Sequence, residues 1–185
     1  SLAYLGIGMY EAAVPGSIIY QSIASELNGK PAIPTTVDSL EYDWELSINA
    51  AEASILKFLY PHAPESLKSK IDSLEMAEIN VKRSLILNEE VIARSIGFGK
   101  EVAEVLNNWS ETDGGHKGYN TTFTRNYELP TGLAYWVPPF GGQSAVRLPM
   151  HAYWGENRTF LAQNSLVQYP EIIPFSQEPD SPYYD

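Results

Sequence analysis

Proline and glycine are spread unevenly along this chain, and their distribution limits what it can fold into. Residues 111–185 hold 8 of the 13 prolines and 7 of the 13 glycines, too dense a punctuation for long helices. The same stretch carries 13 of the 22 aromatics, too much apolar surface for a free tail. Loops beyond about 15 residues without secondary structure are uncommon in compact domains. This half must therefore lie on something. Either it wraps the helices of its own chain, or it also packs on a domain absent from this sequence.

Residues 1–110 read as helix. A first helix is predicted from about Leu2 to Val14, with Leu5, Met9, Ala12 and Ala13 on one face and Pro15-Gly16 ending it. A short helical piece follows around Ser22 to Leu27, stopped by Asn28-Gly29. Residues 30–42 read as linker. A second helix runs from about Asp43 to Tyr60 and is apolar on most sides, which predicts a central place. Asn49 within it needs a hydrogen-bond partner if buried.

A third helix starts near Pro64-Glu65, where proline and an acid are both favoured. Leu67, Ile71, Leu74, Val81 and Leu85 recur at helical spacing along it. A fourth is capped by Asn88 and presents Val91, Ile92, Ser95, Ile96, Gly99, Val102, Leu106 and Trp109 on one face. It stops at Thr112-Asp113-Gly114-Gly115. The expected fold is mainly α: an antiparallel bundle of about four main helices followed by a long Pro/Gly/aromatic-rich irregular segment of the same domain. Leu74, Ile92, Ile96, Val102 and Leu106 are expected in one core.

The chemistry is sparse. Lys and Arg number 12 against 23 Asp and Glu, a net charge of −11, so the surface repels phosphate backbones and argues against nucleic acid as a partner. Cysteine is absent, which excludes disulfides, thiolate metal sites and cysteine nucleophiles. No apolar run is long enough for a transmembrane helix, and no basic leader precedes an apolar core. A chain opening inside a helical pattern reads as trimmed, and a targeting signal would have gone with the trimming. His62, His116 and His151 lack the second histidine that a helical metal pair requires. Asp113 and His116 share a glycine loop, which reads as a polar turn rather than a cation site. Glu52, Glu65, Asp72, Glu75, Glu101 and Glu104 read as solvated helix faces. Glu11, on an otherwise apolar helix, reads as a structural hydrogen-bonding group.

Several segments resemble one family. The first helix contains Ala3-Tyr4-Leu5-Gly6-Ile7-Gly8-Met9-Tyr10-Glu11-Ala12, and the fourth runs into Trp109-Ser110-Glu111-Thr112-Asp113-Gly114-Gly115. The loop half gives Trp136-Val137-Pro138-Pro139, then Tyr153-Trp154-Gly155-Glu156-Asn157-Arg158-Thr159-Phe160, then Pro170, Pro174-Phe175 and Ser181-Pro182-Tyr183. In this order they resemble the N-terminal half of bacterial vanadium-dependent haloperoxidase-like proteins of the type 2 phosphatidic acid phosphatase superfamily. Thr159 departs from the family's usual proline, and the first proline cluster is shortened.

The resemblance implies a parent protein that oxidises halide at a histidine-bound vanadate or hydrolyses phosphomonoesters. Its oxyanion-binding residues, in Arg-Pro, Pro-Ser-Gly-His and Ser-Arg motifs, would lie beyond Asp185. None of these motifs occurs here, so no catalytic, cofactor or metal residue is carried over. The implied cofactor, vanadate, belongs to the parent, and the implied partner is a C-terminal catalytic domain of the same protein. Trp136, Tyr153, Trp154 and Arg158 are the expected pocket-rim or domain-contact residues. The implied location is extracytoplasmic, periplasmic or lipoprotein-anchored. The rival reading is a non-enzymatic helical binding module, of the surface lipoprotein type, whose aromatic loops bind glycan or protein.

Overall fold

The structure, a computed structural model, describes residues 2–85, 88–123, 126–137, 148–161, 164, 166–168 and 170–184. Pro138, Pro139, Arg125 and Arg147 lie outside the described residues. The chain divides into two compact units, Ser1–Asp113 and Gly114–Asp185.

The first unit is a bundle of four helices: α1 Leu2–Ala13, α2 Trp44–Leu59, α3 Glu65–Leu85 and α4 Glu89–Ser110. Among the described residues there is no β-sheet. α2 begins where Asp43 accepts a hydrogen bond from the Leu46 amide. α4 begins where Asn88 accepts from the Glu90 amide. Each cap satisfies one of the amides that a helix start leaves without an intrahelical partner.

Side-chain pairings fix the directions. The Asp43 amide at the start of α2 donates to the Ser95 hydroxyl of α4, and Ser47, further along α2, lies against Gly99, further along α4, so these two helices run parallel. Tyr4 of α1 meets Trp109 and Asp113, whereas Gly8 meets Leu106, so α1 runs antiparallel to α4. Lys57 near the end of α2 pairs with Asp72 and Glu75, and Lys82 near the end of α3 pairs with Asp43 and Glu45. α3 is therefore antiparallel to α2. α2 packs most extensively on α4, then on α1, then on α3, and so takes the central place its sequence predicts.

The α2–α4 contact is a seam of small residues. Ser47 and Ser95 are fully buried, and their hydroxyls donate to carbonyls. Ala50, Ala51 and Ala103 are also fully buried. Gly99 has no side chain because the Ser47 carbonyl occupies that space. Beside the seam, Trp44 stacks on Tyr42 at 5.4 Å, and Phe98 meets both rings edge-on.

Four expectations need correction. The buried face of α1 is Tyr4, Gly8, Glu11 and Ala12, while Met9 is exposed. An almost wholly apolar helix gives no polar side to fix its phase, and close approach at Gly8 decides it. Residues 24–26 form a turn rather than a short helix. The amides that open it go to side chains, Ile23 to Glu11 Oε1 at 2.9 Å and Ala24 to the Ser22 hydroxyl, and those of Glu26 and Leu27 close a single turn on the Ile23 carbonyl. Leu27 is plugged into the core, and the Trp109 indole donates to the Asn28 carbonyl.

The third correction concerns α3. Leu67, Leu74, Val81 and Leu85 are exposed, Leu74 and Leu85 both at 72%, and the buried residue is Ile79. Leu74 is thus not in the core with Ile92, Val102 and Leu106. α3 is held by Ile79, which clusters with Leu46 of α2 and Ile92 of α4, by the ion pairs to α2, and by Asn49, which donates to the Glu75 carbonyl at 3.0 Å. Glu75 is the fourth correction, since it is largely covered and pairs with Lys57. The hydrogen bond to Asp72 raises the pKa of Lys57 above the usual lysine value. Glu45, then Asp43, do the same for Lys82 against the opposing effect of burial.

Candidate functional site

The second unit contains a concavity formed by described residues. Past the end of α4 the chain turns at Gly114, whose φ is +88°. A side chain there would also run into Asn157, with its Oδ1 at 2.9 Å and Cα at 3.4 Å, so glycine is required twice over. A 3-10 turn, Gly118–Asn120, follows Lys117, which sits in the left-handed region at φ 53°. A second 3-10 turn, Trp154–Glu156, follows His151 at φ 51°. The His151 amide donates to the Thr122 carbonyl at 2.7 Å and ties the two segments together.

Between them lies a cavity of about 280 Å³ lined by Gly114, Gly115, Gly118, Thr121, His151, Tyr153, Trp154 and Asn157. Two non-glycine residues beside it hold left-handed backbone, a conformation that costs on the order of 1 kcal/mol each and concentrates at binding sites. Tyr153 is steadied by Tyr127, rings edge-to-face at 5.5 Å. His151 and Trp154 have ring centroids 5.8 Å apart. Trp154 keeps two-thirds of its surface in solvent, so its indole is available to a ligand.

Of the four residues expected to rim a pocket, the structure brings Tyr153 and Trp154 to this cavity. Trp136 is half-exposed and outside the lining. Arg158 is half-buried, next in sequence to the lining residue Asn157 but not itself part of the wall. Sequence reasoning missed Gly114, Gly115, Gly118, Thr121, His151 and Asn157 as wall residues. The Gly114-Gly115 pair is a usable signal of close backbone approach, over and above its role as a helix stop.

The described lining does not fit vanadate or phosphate. An oxyanion needs several convergent cations or aimed donors, and no Lys or Arg lines this cavity. No group of three or more His, Asp or Glu suited to a metal ion occurs among the described residues. None of the described helices is long and apolar enough to cross a membrane.

No family model matches the chain, and no curated protein matches it by sequence. Its fold is similar to that of a crystal structure described as the first bacterial vanadium-dependent iodoperoxidase, with a TM-score of 0.63 and 21% identity over 98% of this chain. The chain spans 40% of that protein's length. What the two share is the fold: a helical architecture of haloperoxidase type.

Proposed function

We propose that this chain is the N-terminal helical portion of a vanadium haloperoxidase-like or acid phosphatase-like protein. It supplies scaffold, and the oxyanion-binding residues follow Asp185. One observation carries this reading. The fold match runs through 98% of this chain yet accounts for only 40% of the iodoperoxidase. The surface agrees with a missing companion. Leu74 and Leu85 of α3, and Leu133, Trp136 and Ile172 of the loop unit, leave half or more of their surface in water. No described residue from 114 to 184 is buried. A C-terminal catalytic part of the same protein would cover such surface. By the same resemblance we propose an extracytoplasmic location, testable by cell fractionation.

The test is to express this chain alone and with the coding sequence that follows Asp185. Each product is assayed for iodide and bromide oxidation with peroxide and vanadate, and for phosphomonoester hydrolysis. The longer protein should turn over one class of substrate, and the 185-residue chain neither. Turnover by the short chain above a heat-killed control, or a stop codon after Asp185, would overturn the reading.

A further inference from the structure

We infer that the cavity of the loop unit is a binding site for a neutral saccharide, sized for one pyranose ring. The reading goes beyond the scaffold role and does not depend on a catalytic part following this chain.

Charge narrows the ligand class first. Among the described residues the lining contains no Asp, Glu, Lys or Arg, so neither an anion nor a cation finds a counter-charge in the described wall. An unpaired ion taken out of water there would bear a desolvation cost with nothing to offset it. Polarity narrows it further. Thr121, His151, Tyr153 and Asn157 bring hydroxyl, imidazole, phenol and carboxamide groups, a mixture of donors and acceptors. The Thr121 hydroxyl already donates to the Gly118 carbonyl at 3.3 Å, but a purely apolar ligand would offer nothing to the polar groups of His151, Tyr153 and Asn157. Gly118 leaves the wall open, since its Cβ position meets nothing nearer than His151 Cε1 at 3.8 Å, and a ligand can approach the backbone there.

A polyhydroxylated ring meets both conditions. Its hydroxyls each donate and accept, and its C–H face is apolar and flat enough to lie on an aromatic side chain. Trp154 and Tyr153 supply such faces, and both remain substantially exposed. Size agrees. A volume of about 280 Å³ holds about nine water molecules at roughly 30 Å³ each, slightly below the range of drug-sized sites. That accommodates a single ring and not an oligosaccharide, whose further residues would extend along the exposed Trp154 rim. The pinned backbone at Lys117 and His151 keeps the wall in place before the ligand arrives, which lowers the ordering cost of binding.

The experiment uses the 185-residue chain. Methyl glycosides of glucose, galactose, mannose and N-acetylglucosamine are titrated at millimolar concentrations. Binding is followed by saturation-transfer NMR and intrinsic tryptophan fluorescence. At least one glycoside should bind, with ring protons closest to the protein on its apolar face. Trp154→Ala should weaken binding about tenfold or more. Gly118→Phe should abolish it by filling the cavity, because its Cβ position meets nothing nearer than His151 Cε1 at 3.8 Å. Helical circular dichroism checks that both variants keep the bundle. Sodium phosphate and sodium iodide should not compete. Absence of transfer to every glycoside, transfer undiminished in both variants, or displacement by phosphate or iodide would each overturn the proposal.

Discussion

Two glycines in α4 sit two residues apart and should respond to alanine in opposite directions. At Gly97 nothing lies within 4 Å of where an alanine methyl would sit, so Gly97→Ala meets only solvent and gains helix propensity. The expected gain is about 0.5–1 kcal/mol. At Gly99 the new methyl would stand 2.9 Å from the carbonyl carbon and 3.1 Å from Cα of Ser47, and nearer still to its oxygen. That neighbour is backbone, so no rotamer change relieves the clash, and α2 and α4 must move apart. Overpacking of this kind costs about 1–3 kcal/mol. Separation also stretches the Ser47–Ser95 and Asp43–Ser95 hydrogen bonds, each worth about 1 kcal/mol. After the propensity gain, Gly99→Ala should lose about 2–4 kcal/mol. For a chain of this size that lowers Tm by roughly 5–15 °C, while Gly97→Ala raises it by a few degrees. Thermal and urea melts followed at the helical band read both. If Gly99→Ala melts at or above Gly97→Ala, the close approach of these helices is wrong.

Other outcomes follow from the same packing. Ile92→Ala should cost about 2–5 kcal/mol, whereas Leu74→Ala, on an exposed face, should stay within about 0.5 kcal/mol; a urea series on both variants decides. Glu11→Ala removes the acceptor for the Ile23 amide and opens a hole in the core, costing about 2–4 kcal/mol, and Glu11→Gln should recover most of that because an oxygen remains for the amide. Lys82 binds its proton more tightly folded than unfolded, so its contribution is full below the unfolded lysine pKa and is lost as pH rises through the folded one. Stability should therefore fall above about pH 10, with a shallower slope in Lys82→Met, read from urea midpoints across that window.

The sequence made some elements legible and left others dark for physical reasons. In α4 a cap, an acidic first turn and an unbroken periodic face agree, and most of the face is buried as spaced; only Ile96 stays partly open. α3 has an equally regular apolar pattern, yet that pattern says only that one side is apolar, not what covers it. The side that faces the bundle is marked by Ile79, packed with Leu46 and Ile92, and by Lys57 and Lys82, two charges that resemble ordinary surface lysines until their carboxylate partners are placed. In the loop unit, Tyr153 and Trp154 stand out as large aromatics near glycine. The cavity itself depends on left-handed Lys117 and His151 and on one amide reaching Thr122, none of which has a spacing rule.

The α2–α4 seam has a consequence for how this protein tolerates change. Where large apolar side chains fill a core, substitution usually fails by removing volume, and a neighbour can partly relax into the gap. Where Ser47, Ser95 and Gly99 let two backbones approach, failure comes from adding volume, and backbone cannot relax. Residue size, not hydropathy, becomes the filter at these positions. A random library selected for folding should therefore keep polar serine beside apolar alanine and glycine along the seam while rejecting valine or leucine. On the exposed side of α3 the same selection should accept almost any side chain.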